Sequence, residues 1–502
     1  MSRTNILLVG LDGANPDLMR RLAEQGEMPF LRACFEQQPP CALESLPPYA
    51  TPAAWSSIYT GVTPAWHGVL DFVDLAAPRR QLTNSHSLRS APFWQRLSEH
   101  GHRVAMIGFP LTYPPAPVNG VMVSGLPAPH RSATWSFPPE FDAHLKAIPH
   151  FLPDPEMTSP RVHPERSMSR LERHIQAVTE AALAAHRTYG EAGWSLFGVQ
   201  FQALDTFQHM FWAWIDPTDR RFYRCPERER RRALRFLRAL DDSLRRLTEA
   251  LRPEGIVILS DHGFGPAYEA VCPNQRLLDQ GLLTLSVSPA KLQRSLRLQS
   301  MLKRLDLFNL RSRVKISAGG GAVLQGLDHL MREDLIDHDR TPAVVRSGGY
   351  CGLMSVKPGF EAAARDALLH ARHPTRGERL IRSVSFITEL WDGPCVELWR
   401  GYAVVQPEEG YLIDSHFRHY GLVAPVSAGL TGTHRPTGLL WTTVNALEQA
   451  QNILDIAPGL LSALGLSLSP SPDQGAGKPI GQVFSPQDEK AIEDRLRQLG
   501  YL

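Results

Sequence analysis

The chain has 502 residues, 43% of them hydrophobic, enough to bury a large core as one big α/β domain with an insertion or as two domains. Its 53 lysines and arginines nearly balance 51 aspartates and glutamates, which argues against a chain-wide field that would recruit a nucleic-acid polymer or a membrane. Phosphate binding would have to come from a local site, and the six scattered cysteines, with no CxxC pair, read as buried thiols rather than bridges or metal ligands.

The first element is the apolar run Ile6–Leu11, expected as a strand buried on both faces of a largely parallel sheet and ending at Asp12-Gly13. Its short apolar stretch lacks the longer segment and cleavage site of a secretion signal, and no later stretch reaches the length of a membrane helix, so a cytoplasmic protein is expected. Tyr49–Ser57 follows, where Thr51 before Pro52 reads as an N-cap and a helix start. A hydroxyl there would face free N–H groups and the positive end of the helix dipole, which favour an alkoxide and a phosphate oxygen. Strand-like runs recur at Val104–Gly108, Trp194–Gln200 and Gly255–Ser260. Helical patterns at Ala91–His100, Pro164–Arg187 and Glu227–Leu251 alternate with them, and the alternation predicts a doubly wound α/β architecture with ligands at the carboxyl ends of the strands.

Asp205 and His209 lie four apart, on one face of a helix, where both could reach one ion; alone, such a pair is common on helix surfaces. Here it follows a strand closely. Asp261-His262-Gly263 comes directly after another strand, and adjacent ligands can diverge toward two neighbouring ions. From Ser288 the chain turns basic and leucine-rich, which reads as an amphipathic helical insertion with a solvated face or, more sharply, as a cap attracting an anionic substrate. Apolar, β-compatible segments resume at Ala343–Val356, so the catalytic sheet is expected to continue. The division is then 1–287 as the first part of the core, 288–335 as the insertion, and 336–502 as the second part. Late in the chain, Gly432–Pro436 presents His434 and Arg435 in a Gly/Pro-flanked loop. Ser469–Lys478 reads as a surface linker before a polar terminal helix at Pro486–Leu499. The aromatic residues Trp55, Trp66, Phe207, Phe211, Trp212 and Trp214 suit core packing, with a substrate wall as the alternative.

Taken in order, Asp12, Thr51, Asp205/His209, Asp261/His262 and His434 resemble the alkaline phosphatase superfamily, and within it the type I phosphodiesterase/nucleotide pyrophosphatase branch. The segments LLVGLDG, TPAAWSSIYTGVTPAWHGV, SDHGFGP and GTHRPTG carry the likeness over most of the chain. The resemblance implies an alkaline phosphatase-like fold, a central largely parallel sheet flanked by helices with a helical insertion. It also implies two divalent metal ions, one on Asp205, His209 and His434, the other on Asp12, Asp261, His262 and the oxygen of Thr51. Zinc is the first expectation, with manganese or iron as alternatives. The implied reaction is attack on phosphorus by a Thr51 alkoxide, then hydrolysis of a phospho-threonine intermediate.

Two departures bear on substrate. Branch members usually carry an asparagine shortly after the HG motif that contacts a phosphate oxygen, whereas His67–Phe72 offers none, and Arg435 becomes a candidate contact instead. The Cys/Ser-x-Pro-x-Arg pattern of sulfatases is also missing. A phosphodiesterase acting on a small phosphorylated substrate is the first expectation. A phosphomonoesterase or phosphotransferase on the same site is the runner-up, and a catalytically inactive metal-containing binding protein is the non-enzyme alternative.

Overall fold

The computed structural model describes residues 4–74, 81–130, 134–155, 164–287, 335–347, 349–415, 421–426, 429–467 and 483–499. The basic stretch 288–334 and the linker 469–478 lie outside the described residues. The chain divides into two compact units: Met1–Pro266 with Trp391–Trp399 and Ser427–Leu502, and Ala267–Leu390 with Arg400–Val426.

The first unit is built on an eight-stranded sheet ordered Cys41–Glu44, Thr437–Thr442, Pro253–Leu259, Thr4–Leu11, Trp194–Phe201, Val104–Phe109, Gly120–Ser124 and Ser136–Phe137. The strands from Pro253–Leu259 to Gly120–Ser124 run parallel, and antiparallel strands close both sides. Thr4–Leu11 is central because its side chains serve both faces: Leu7, Val9 and Leu11 join one apolar cluster, Ile6 and Leu8 the other. The first cluster takes in the helices Pro164–Tyr189, Ala203–Ile215 and Glu227–Leu251. The second is closed by Trp55, Ile58 and Tyr59 of the helix Thr51–Thr60 and by Trp94. The expected runs at Val104, Trp194 and Gly255 are all strands of this sheet, and the expected terminal helix is present at Pro486–Leu499.

The second unit corrects the expectation for Ala343–Val356. Its strands Ala343–Ser347 and Gly352–Val356 do not extend the central sheet; they pair antiparallel with each other and join Tyr402–Pro407 and Ile381–Phe386 in a separate four-stranded sheet. This sheet has its own core, including Val345, Met354, Leu368 and Val405. Apolar alternation marks a strand but carries no information on which sheet it joins.

Candidate active site

The parallel strands Thr4–Leu11, Trp194–Phe201 and Pro253–Leu259 are neighbours, with Gly10 in register with both Gln200 and Leu259. Their carboxyl ends therefore lie side by side, and each is followed within a few residues by polar side chains: Asp12, then Asp205, then Asp261 and His262. His434 arrives on the strand Gly432–Arg435, which pairs antiparallel with Gly263–Pro266 and sets His434 opposite Phe264. All of these carboxylates and imidazoles are buried. Burying so many ionisable groups is unfavourable unless each finds a counter-charge.

The helix Ala203–Ile215 shows the cost most plainly. Most of its side chains are apolar and buried, as in a core helix, yet Asp205 and His209 are buried with them. Asp205 Oδ1 lies 3.0 Å from His434 Nε2, Asp205 Oδ2 lies 3.6 Å from His209 Nε2, and the two imidazole Nε2 atoms are 3.0 Å apart. On the other side, His262 Nε2 lies 3.5 Å from Asp12 Oδ1 and 3.3 Å from Asp261 Oδ2. The His262 and His434 rings stack at 3.7 Å between centroids, which brings the two sets together.

The three histidines share one device. Each directs Nδ1 to a backbone carbonyl: His209 to Gly432 at 3.2 Å, His434 to Tyr49 at 2.8 Å and His262 to Gly263 at 3.1 Å. A carbonyl only accepts, so Nδ1 carries the proton and each Nε2 presents a lone pair inward. Tyr49 has φ 58°, a left-handed backbone that bulky residues rarely adopt, and from it the carbonyl receives His434.

Asp12 is held in a similar way. Its Oδ2 accepts from Trp55 Nε1 at 2.8 Å and Gln200 Nε2 at 2.9 Å, leaving Oδ1 toward His262. Trp55 reaches it because residue 10 is glycine: a Cβ there would meet the indole Cη2 at 2.5 Å. Asp261 Oδ1 accepts from Gly13 N at 3.2 Å. Trp55, Gln200 and Gly13 were not among the sequence-derived site residues. The only trace of Gln200 in the sequence is a polar side chain at the end of an otherwise apolar strand.

Burial, followed by the charges of Asp261 and Asp205, pushes the Asp12 carboxyl well above the usual carboxylate range. Asp261 is raised in the same way by burial and by Asp205. Burial also acts to raise Asp205, but the neighbouring His209 and His434 outweigh it and hold it down. His209 is pushed down to about 4 by burial, and His262 well below its ordinary value by burial and by His434.

Thr51 departs from its expected place. The helix runs Thr51–Thr60 with Ala50 at the N-cap and no side-chain cap, so Thr51 is its first residue and not the capping side chain. Its Oγ1 is fully buried and has no hydrogen-bond partner among the described residues. Tyr49, two residues before it, receives His434, and Trp55, one turn after it, binds Asp12, so the helix start is tied to both buried groups of carboxylates and imidazoles. The Arg435 guanidinium donates to the carbonyls of His434 at 2.9 Å and Pro266 at 2.7 Å, bracing the paired strands. Phe72 is buried, and its N–H donates to Asp71 Oδ1 at 2.7 Å.

A divalent cation fits these donors. Asp205, His262 and His434 form one group able to hold an ion, and Asp12, Asp261 and His262 form another. Asp12 Oδ1, Asp261 Oδ2 and His262 Nε2 are buried without hydrogen bonds among the described residues, and the facing lone pairs of His209 and His434 repel unless a cation lies between them.

The structure resembles phosphonoacetate hydrolase from Sinorhizobium meliloti 1021 in complex with phosphonoformate, with TM-score 0.53, 14% identity, and 92% of this chain and 96% of that chain covered. It also resembles murine ectonucleotide pyrophosphatase/phosphodiesterase 5, with TM-score 0.50, 13% identity and 93% and 96% covered. At these identities the likeness speaks to the fold, which is alkaline phosphatase-like. No significant sequence match occurs among curated proteins. The sequence profile of the type I phosphodiesterase/nucleotide pyrophosphatase family, however, matches residues 6–329. The strand that leads to Asp12, the segment holding Thr51 and the buried donors up to His262 all fall inside that match, and the chain belongs to the type I phosphodiesterase/nucleotide pyrophosphatase family of phosphoester hydrolases.

Proposed function

We propose that the protein hydrolyses phosphodiesters of small molecules through a phospho-threonine intermediate on Thr51, at a site holding two divalent metal ions. The observation that carries this reading is the convergence of three inward Nε2 lone pairs and three buried carboxylates beside a helix that begins with the unpartnered hydroxyl of Thr51. Asp205, His209 and His434 would hold one ion and Asp12, Asp261 and His262 the other, with zinc favoured by the nitrogen-and-oxygen donor set. When bound, such ions supply Lewis-acid stabilisation of anionic oxygens and lower the pKa of a nearby hydroxyl.

The chain's own groups do the rest. Thr51 Oγ bonds to phosphorus as the bond to the leaving oxygen breaks, and water later cleaves the phospho-threonine to restore the hydroxyl. Pro52 has no N–H and the Ala54 amide donates to Ala50 O at 2.8 Å, but the amides of Thr51 and Ala53 have no carbonyl one turn back within the helix and can donate to a phosphate oxygen. Burial of the whole cluster keeps bulk water from the charged groups, where positioned dipoles act most strongly.

Phosphomonoester hydrolysis or phosphotransfer at the same site is the second reading. It is favoured by the stretch His67–Phe72, which lacks the asparagine that branch members usually carry shortly after the HG motif. A metal-holding protein without catalysis is disfavoured by Thr51, since a pure binder has no use for a buried, unpartnered hydroxyl there. The proposed setting is a reducing, cytoplasmic compartment, supported by six cysteines of which none is paired in a disulfide among the described residues. No helix among the described residues is long and apolar enough to cross a membrane.

The test is metal content together with turnover of bis-p-nitrophenyl phosphate and p-nitrophenyl phosphate by wild type and Thr51→Ala. Two ions per chain and Thr51-dependent release, faster on the diester, support the proposal. Faster release from the monoester selects the second reading, and turnover indifferent to Thr51 rejects the intermediate.

A further inference from the structure

Two long helices of the first unit carry arginines that the proposed reaction does not use. In Pro164–Tyr189, Arg166, Arg170 and Arg173 recur at helical spacing and share a face. In Glu227–Leu251 the same spacing gathers Arg228, Arg231, Arg232, Arg235 and Arg238. Arg232 and Arg235 line one hollow with Arg166, Arg170 and Arg173, where Glu165 is the one acid, so the two rows form a single surface of net positive charge.

Part of this charge is answered locally. Arg238 pairs with Glu27 at 2.6 Å, Arg232 with Glu229 at 3.1 Å and Arg231 with Glu227 at 3.2 Å. Arg166, Arg173, Arg228 and Arg235 have no carboxylate partner among the described residues. The position of Arg166 and Arg228 does not serve helix stability, because cations in the first turn oppose the positive end of the helix dipole.

The field also has a defined place. Only Arg252 separates Leu251 from the strand Pro253–Leu259, so the helix doubles back along the sheet. Its 25 residues span about 37 Å. The strand's 7 residues span about 23 Å. The stacked rings of Phe207 and Phe236, 4.0 Å apart, mark the level: Phe207 stands between Asp205 and His209 in sequence, and the field begins beside Phe236. Just before the second helix, Tyr223 is 82% exposed, and the Arg230 guanidinium lies 4.6 Å above the Phe222 ring.

We propose that this surface docks the protein on a bilayer rich in anionic phospholipid, its arginines on headgroup phosphates and Tyr223 at the interface. Arginine suits phosphate through paired N–H donors, aromatic rings with a polar tip settle at headgroup depth, and each cation near an anionic leaflet adds to binding. The field spreads across two helices with one exposed aromatic beside it, whereas single-stranded nucleic acid is held by successive stacking platforms. The chain-wide balance of charge conceals it, because 51 acidic residues over the whole sequence nearly offset 53 basic ones, while on this surface only part of the charge is answered. The docking needs neither Thr51 nor bound metal, so it stands or falls apart from the reaction proposed above.

The test is sedimentation of the full chain with phosphatidylcholine vesicles, with and without phosphatidylglycerol, at low and high salt. Binding to the anionic vesicles alone, weakened by salt, is expected. Arg166→Gln/Arg173→Gln and Arg228→Gln/Arg235→Gln should each weaken it, and the four changes together should weaken it by roughly a hundredfold or more. The melting temperature and turnover of soluble bis-p-nitrophenyl phosphate should stay at wild-type values. Equal binding to neutral vesicles would overturn the proposal, as would a fourfold variant that binds like wild type. So would a protein that ignores vesicles yet binds RNA or a polyphosphate chain through the same arginines.

Discussion

Trp55 Nε1 donates to Asp12 Oδ2 at 2.8 Å from a point one helical turn beyond Thr51, so a single indole couples the orientation of a carboxylate to the placement of the helix start. Removing the donor in Trp55→Phe leaves Gln200 as the remaining hold on that oxygen. Groups that orient a ligand are worth about 10–100-fold in metal affinity, and a loss of that size is expected in a metal titration of the variant. Unchanged affinity would show that Gln200 alone positions Asp12.

The same contact makes a strong demand on residue 10. A methyl group in Gly10→Ala would stand 2.5 Å from Trp55 Cη2 and 3.0 Å from Gln200 Cγ, the two side chains that hold Asp12. The ring lies in a packed aromatic cluster, 5.6 Å from Phe109, and has little room to shift. Overpacking of this kind costs about 1–3 kcal/mol, and denaturant unfolding should show it. A neutral substitution would mean that the indole can withdraw from its place.

Much of this site is legible in the sequence because parallel sheets gather ligands at strand ends, and Asp12, Asp205 and Asp261 each follow an apolar run closely. What stays hidden is whatever depends on contacts distant in the chain. Gln200 and Asp12 are 188 positions apart, and nothing local to Gln200 distinguishes it from a polar strand end. Thr51 shows a different limit: Thr-Pro fits the rule for an N-cap, yet the helix starts one residue earlier than that rule implies, and the hydroxyl is left unbonded. Nothing in the sequence around Arg435 marks the carbonyls of Pro266 and His434, the former 169 positions away, that receive its guanidinium.

Metal removal should act through the carboxylates. Without an ion, burial and mutual repulsion keep Asp12 and Asp261 protonated above the usual range, and binding a cation must displace those protons. Metal affinity should therefore rise with pH, and calorimetry in buffers of different ionisation enthalpy should detect proton release. Adding metal at a hundredfold excess over its Kd should stabilise the stripped protein by about 2.7 kcal/mol for each ion bound. Binding without proton release would contradict the raised carboxyls.

His67 makes a separate prediction about acid stability. It is fully buried, with Nε2 3.0 Å from Ser57 Oγ and Nδ1 accepting from Val69 N at 3.3 Å, and burial pushes it down to about 3. In the unfolded chain it takes a proton near pH 6.5, so the unfolded state binds more protons between that pH and about 3. Its contribution is full above pH 6.5 and is lost as pH falls toward the folded value, at about 1.4 kcal/mol per pH unit for this group. Folding free energies of His67→Gln should fall less steeply than those of wild type over this window. Parallel slopes would show that His67 does not titrate as its burial requires.

The sharpest prediction separates chemistry from stability at Thr51. Its Oγ1 is buried yet makes no hydrogen bond among the described residues, so Thr51→Ala removes no bond, although it leaves a small void in a fully buried helix. A hydroxyl buried for structure alone would be paired, and its loss would cost about 1–3 kcal/mol through the stranded partner. Here the expected change in unfolding free energy is within about 1 kcal/mol of zero, while loss of a nucleophile lowers turnover by about a thousandfold or more. Thr51→Ser keeps the oxygen and should recover much of the activity. Stability lost in step with turnover would point to Thr51 as a packing residue, and retained turnover in the alanine variant would move the attacking oxygen elsewhere.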